Sequence, residues 1–293
     1  MLLCLLFFLL CLCFPAISGG GMKDGLLLVF GQVLPALYPF ILLTTLFRYL
    51  AERSDAGRYL SIFIGFLSGY PLGARAAADF KSSKNRITSQ SLLLICNNPS
   101  PAYMISFIGL HCFDDPRLGL SMYMAILGGN LAAGLIFNPF HRKKNVDLPH
   151  FTSCLQPKKF SAKGIPENNL LDMVIHDTFS IIVSISGYVL IFSTAAAFIR
   201  HLVFLPPAAQ ALLAGLLEMT TGIQMLASQS AVSATSKILI TTWLISFGGL
   251  SVIAQTAGMT GKSSLSIKKY TTEKAIAATI AVSVMYIYIT LCL

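Results

Sequence analysis

The strongest constraint on this chain is its succession of apolar runs, near residues 2–18, 26–50, 59–80, 88–110, 118–139, 177–199, 206–230, 232–258 and 275–293, separated by polar stretches. About 20 apolar residues in helical form match the ~30 Å hydrocarbon core of a bilayer. In lipid the backbone must satisfy its own hydrogen bonds, which leaves helices as the structure for runs of this length. A composition of 55% hydrophobic and 11% charged residues excludes an ordinary soluble globule. The chain is expected to be an all-α polytopic protein of the cell membrane, with the lipid bilayer as its surroundings.

The formal charge of +9 does not indicate a nucleic-acid partner. The basic residues lie between apolar runs, with no basic stripe interleaved with aromatics. Seven cysteines are scattered, without a CxxC pair or a histidine at ligand spacing, so no disulfide framework, metal site or cofactor is expected. No basic residue precedes the first apolar run, so residues 1–20 read as an N-terminal transmembrane helix rather than a signal peptide.

An offset of about 150 residues aligns two halves of the chain. "LYPFILLTTLF" (37–47) matches "GYVLIFSTAAAF" (187–198), and "GFLSGYPLGARAAADF" (65–80) matches "GLLEMTTGIQMLASQS" (215–230) without a gap. "LLICNNPSPA" (93–102) matches "LISFGGLSVI" (244–253) one residue out of step. Charge then sets the topology. With re-entrant hairpins at 59–83 and 206–230, 17 of the 21 Lys and Arg, Lys274 among them, fall on one side, which is therefore cytoplasmic. Treating each hairpin as a single span turns this into 9 against 12 and erases the bias. The expected organisation is an inverted repeat of about seven transmembrane helices plus the two hairpins. The first half, 21–140, contains a broken helix at 88–110. A basic cytoplasmic linker follows at 141–170, and the second half, 171–293, contains a broken helix at 232–258 and ends outside.

Interrupted helices at membrane depth need protein or a water-filled cavity to satisfy their backbone, and they mark solute sites in many carriers. In the first hairpin the tip is Ser68-Gly69-Tyr70-Pro71, where glycine loosens the backbone and proline removes a donor. In the second, the tip is expected at Glu218-Met219-Thr220-Thr221-Gly222, with Thr220, Thr221 and Gly222 corresponding to the turn of the first. The broken helices are interrupted at Asn97-Asn98-Pro99-Ser100-Pro101 and at Gly248-Gly249-Leu250-Ser251, with Gln255 one turn beyond. These positions are the expected substrate-binding residues. The free N–H groups of each second hairpin limb would favour an anionic group on the solute, and the asparagines would supply neutral donors and acceptors. Glu218 is the sole ionisable side chain between Pro206 and Lys237. At that depth it is a candidate coupling-cation or proton site, with capping of the following limb as the alternative. His176-Asp177 and His111 with Asp114-Asp115 lack a nucleophile or third ligand at recognisable spacing, so no enzymatic activity is expected.

The stretches "VLPALYPFILL", "GFLSGYPLGARAAADF", "CNNPSPAYMI", "GLLEMTTGI" and "SFGGLSVIAQ" resemble the sporulation integral membrane proteins of the YlbJ/SpoVV type, within the nucleoside recognition or Gate-domain group. More distantly, that group is similar to concentrative nucleoside transporters. The resemblance implies a carrier, with dipicolinic acid moved out of the mother cell across the outer forespore membrane as the family's suggested cargo. A nucleoside-like or other small carboxylate carrier, or a non-transporting membrane scaffold, are the competing readings.

Overall fold

The structure is a computed structural model that describes residues 2–51, 63, 65–66, 68–79, 87–142, 169–202, 204–261 and 263–292. It is helical, with no strand among the described residues. The linker expected at 141–170 and the outer parts of hairpin 59–83 lie largely outside them.

Helices α1 (Leu2–Cys13) and α2 (Pro15–Leu28) meet at 105°. Proline at the first position of a helix starts it readily but cannot continue the preceding one, which explains the break at Phe14. The transmembrane helix expected over 1–20 is thus two helices, and α1 alone, at ~1.5 Å per residue, is too short to cross a bilayer. A π-helical turn, Val29–Val33, joins α2 to α3 (Leu34–Ala51), which carries Pro39 in its interior.

Phe63, Gly65, Phe66 and Ser68 are helical and lead to the turn at Gly69–Pro71, after which α4 (Leu72–Asp79) runs on. Then come α5 (Ser89–Cys96), the π-wound α6 (Tyr103–Cys112) and the long α7 (Pro116–Arg142). The rest comprises α8 (Leu170–Arg200), α9 (Pro207–Leu217), α10 (Met219–Ala227), α11 (Ala234–Phe247), α12 (Gly249–Thr260) and α13 (Ile267–Cys292).

Four stretches among the described residues are long and apolar enough to cross a membrane: Pro116–Phe140, Leu170–Arg200, Ala234–Thr260 and Ile267–Cys292. The bent pair at the N-terminus brings the number to five if it forms one span. The sequence suggested about seven. The difference arises where helices are cut short: Leu37–Phe47 in α3 and Tyr103–Cys112 are apolar but fall below spanning length. Large apolar side chains such as Phe8, Leu135, Phe140, Val183 and Leu291 remain exposed, a surface that suits lipid.

Close backbone approach organises the interior. α9 and α10 fold back on each other, and a Cβ at Gly222 would stand 2.2 Å from Gly215 Cα. On α7, a Cβ at Gly129 would stand 2.7 Å from the Ala277 carbonyl of α13, and one at Gly134 would meet Ile95 of α5 at 2.4 Å. Small residues let α7 lie against both neighbours, as in packed membrane helices. One apolar cluster then gathers Met104, Ile108, Ile126, Ile223, Leu244 and Met285 from five helices.

Candidate functional site

Each broken helix stops for a local reason. At the end of α5, Asn97 donates its N–H to Leu93 O at 3.1 Å, and Pro99 and Pro101 remove two donors from the segment that follows. The chain becomes helical again at Pro101, where Ser100 Oγ accepts from Tyr103 N–H at 3.2 Å. At the end of α11, Gly248 adopts φ +89° and donates to Leu244 O at 2.8 Å. Gly249 follows at φ +68°, where a Cβ would stand 2.9 Å from Gly215 O. Two successive left-handed residues are accessible to glycine at little cost, and here they also let α12 start against the end of α9.

The hairpin tips lie on these breaks. A Cβ at Gly69 (φ +80°) would stand 2.6 Å from Ser100 N, and one at Gly73 would stand 2.1 Å from Cys96 O. The first hairpin is therefore pressed onto the first break. Tyr70, buried and followed by a cis bond to Pro71, reaches further: its OH donates to Ile245 O at 3.0 Å, just before the second break. In the opposite sense, Tyr103 OH, just after the first break, meets Thr220 Oγ1 of the second hairpin at 3.2 Å. Two tips and two breaks from sequence-distant segments thus meet around one region.

The second tip lies within the expected Glu218–Gly222 segment, but at its first residue. The turn itself is at Glu218, in extended conformation, and Thr220, Thr221 and Gly222 are already inside α10. Glu218 is 3% exposed, and its Oε2 accepts from Thr221 N–H at 2.7 Å, with its backbone O accepting from Gly222 N–H. The carboxylate caps α10, the alternative weighed for it above. In the first hairpin, Leu72 and Gly73 donate their N–H groups to Gly69 O. Helix N-termini expected to receive an anion are therefore partly closed from within, and that of α10 already faces a carboxylate.

The polar side chains sort into two groups. Ser251 and Gln255 satisfy each other along α12, with Nε2 donating to Oγ at 3.2 Å, and Ser68 is buried just before the first tip. The asparagines instead form a network across helices. Asn97 Nδ2 donates to Thr256 Oγ1 and to Tyr270 OH, both at 2.8 Å, while its Oδ1 is buried without a hydrogen-bond partner. Asn98 Nδ2 donates to Ile95 O, and its Oδ1 accepts from Asn130 Nδ2 at 2.7 Å.

Lys274 lies at the centre of this network. It was grouped above with the cytoplasmic lysines, but its exposure is 0%. Its Nζ donates to Asn97 O at 2.8 Å, Asn130 Oδ1 at 3.0 Å and Asn98 Oδ1 at 3.4 Å. The ammonium also lies 5.5 Å from the Tyr70 ring centre and 6.0 Å from that of Tyr270, within cation–π range. No carboxylate pairs with it among the described residues. Asn130 and Lys274 escaped the sequence reading. Gly128-Gly129-Asn130 inside an apolar run was one available sign, and a lysine followed by an apolar stretch to the end of α13 was the other. Asp177, by contrast, accepts from Tyr49 OH at 2.8 Å between α8 and α3, away from the breaks.

No protein-family model matches the chain, and no solved structure matches it. Among curated proteins it is similar to the sporulation integral membrane protein YlbJ of Bacillus subtilis (strain 168), with 24% identity over 301 aligned residues that cover 87% of this chain and 74% of that protein. The similarity to the YlbJ-type sporulation integral membrane proteins is sustained along most of both chains, on a helical protein with membrane-length apolar helices.

Proposed function

We propose that this protein is a membrane carrier for a small anionic solute, held where the two helix breaks and two hairpin tips converge. The observation that carries the reading is the reciprocal bridging of Tyr70 to Ile245 and of Tyr103 to Thr220. Each hairpin contacts the break of the other half, the arrangement expected when two inverted halves enclose one solute. On this reading the 141–170 linker is cytoplasmic, the C-terminus lies outside and the halves rock about the shared centre. The positive charge for the solute comes from Lys274 rather than from the hairpin N-termini, since Glu218 occupies one of those. Asn97 Oδ1 and Ser246 Oγ, both buried without hydrogen-bond partners, are polar atoms free to meet a solute. Glu218 is the group through which a proton would be coupled.

The name of the similar B. subtilis protein places it in sporulation, and dipicolinic acid export is the family-implied role. A planar dianion fits a single buried ammonium flanked by amides, as would another small carboxylate. One observation favours a non-transporting scaffold instead: Ser251 with Gln255, and Asn98 with Asn130, are already satisfied by each other.

The test is a thermal-stability panel on purified full-length protein with dipicolinate, small dicarboxylates and nucleosides, followed by uptake into liposomes. Saturable stabilisation and uptake of dipicolinate support the reading. Stabilisation by nucleosides alone reverses the solute class, and no response with no uptake favours the scaffold.

A further inference from the structure

The surroundings of the Lys274 head group are those of a bound metal cation rather than of an ordinary lysine. Its three acceptors are the backbone carbonyl of Asn97, which ends a half-helix, and two amide oxygens, Asn98 Oδ1 and Asn130 Oδ1. A helix C-terminus carries partial negative charge and favours a cation. Carbonyl-type oxygens at the end of a discontinuous helix are the ligands with which carriers hold coupling cations, and with which channels replace an ion's hydration shell. The position is also sealed: Asn97, Asn98, Asn130 and Lys274 are all 0% exposed. A lysine placed there to anchor the chain at the membrane surface would instead extend its head group to water.

We propose that the Lys274 ammonium is a tethered cation occupying a latent alkali-cation site formed by Asn97 O, Asn98 Oδ1 and Asn130 Oδ1. The site needs no ion from solution because α13 supplies one covalently. Read on the carrier function proposed above, this makes transport independent of an alkali cation at the first break, and it places in the solute region a positive charge carried by the chain itself. The charge cannot leave with the solute, unlike that of a co-transported ion.

Lys274→Met tests this directly, because methionine keeps most of the side-chain stem and vacates little beyond the ammonium. The full-length protein in detergent is melted in NaCl, KCl or LiCl against choline chloride at constant ionic strength, alongside Lys274→Ala. The expected result is a saturable rise in melting temperature with an alkali cation in both variants, on the order of 5 °C at saturation, and none specific to alkali cations in the wild type. Folded variants without that response overturn the proposal, as does a saturable alkali-cation response of the wild type. Failure of both variants to fold in every salt also counts against it, since a freely supplied cation should restore the centre. The readout needs no solute, so failure of the carrier reading would show separately, in the ligand panel.

Discussion

Asn130→Leu is the most direct probe of how the first break is held together. The substitution places an apolar side chain of similar size in α7 and removes two hydrogen bonds at once. One is the acceptor that Asn130 Oδ1 offers to Lys274 Nζ at 3.0 Å, and the other is the donor that Nδ2 offers to Asn98 Oδ1 at 2.7 Å. A hydrogen bond to a charged group contributes about 1.5–3 kcal/mol and a neutral one about 0.5–1.5 kcal/mol. Because Asn98, Asn130 and Lys274 are sealed from water, the orphaned ammonium proton finds no solvent in compensation, and Asn98 Oδ1 keeps only the 3.4 Å bond from Lys274 Nζ. The expected loss is therefore roughly 2–4.5 kcal/mol. Asn130→Asp is the companion variant: it gives up the donor to Asn98 but offers Lys274 a carboxylate, so it should retain more stability than Asn130→Leu. Equilibrium unfolding of the purified protein in mixed micelles reads both. Asn130→Leu within about 0.5 kcal/mol of wild type, the scatter of ordinary surface substitutions, would refute a buried, energetically coupled network at this break.

Two further outcomes follow from the same geometry. Gly73→Ala places a methyl 2.1 Å from the Cys96 carbonyl oxygen and should destabilise by about 1–3 kcal/mol or more, whereas Gly128→Ala, with open space at its Cβ, should be neutral or stabilise by up to about 1 kcal/mol; the same unfolding assay compares them. For Glu218, loss of the cap in Glu218→Ala should cost about 0.5–2 kcal/mol, and Glu218→Gln, which keeps an acceptor, should cost less. If Glu218→Gln abolishes solute uptake in liposomes while leaving stability near wild type, the carboxylate acts in coupling; if uptake is unchanged, capping is its whole role.

The two halves expected from the sequence were legible to an unequal degree. Helix ends at Asn97 and Gly248 could be read because proline and glycine act on their own backbone, whatever surrounds them. The number of full spans could not be read from hydropathy, because Pro15 and the interruption after Cys96 divide apolar runs into helices shorter than the bilayer. Glu218 was conspicuous as a lone charge in an apolar stretch, but its role depended on where the turn falls. The turn is at Glu218 itself, and this aims the carboxylate at the N-terminus of its own following helix.

What the sequence alone determined is the material of the fold: membrane-length apolar helices, and polar breaks where proline and glycine forbid regular backbone. These are properties of single residues and their immediate neighbours. Only the tertiary structure decided what the breaks touch. Lys274 is 177 residues from Asn97 and 144 from Asn130, and in the sequence it looks like a surface lysine beside Lys268 and Lys269. It becomes the centre of the first break because Gly129 lets α7 close onto α13 at Ala277, bringing an amide, a half-helix end and an ammonium into one sealed volume. Local chemistry ends a helix, but burial and long-range packing choose the charge that meets the end.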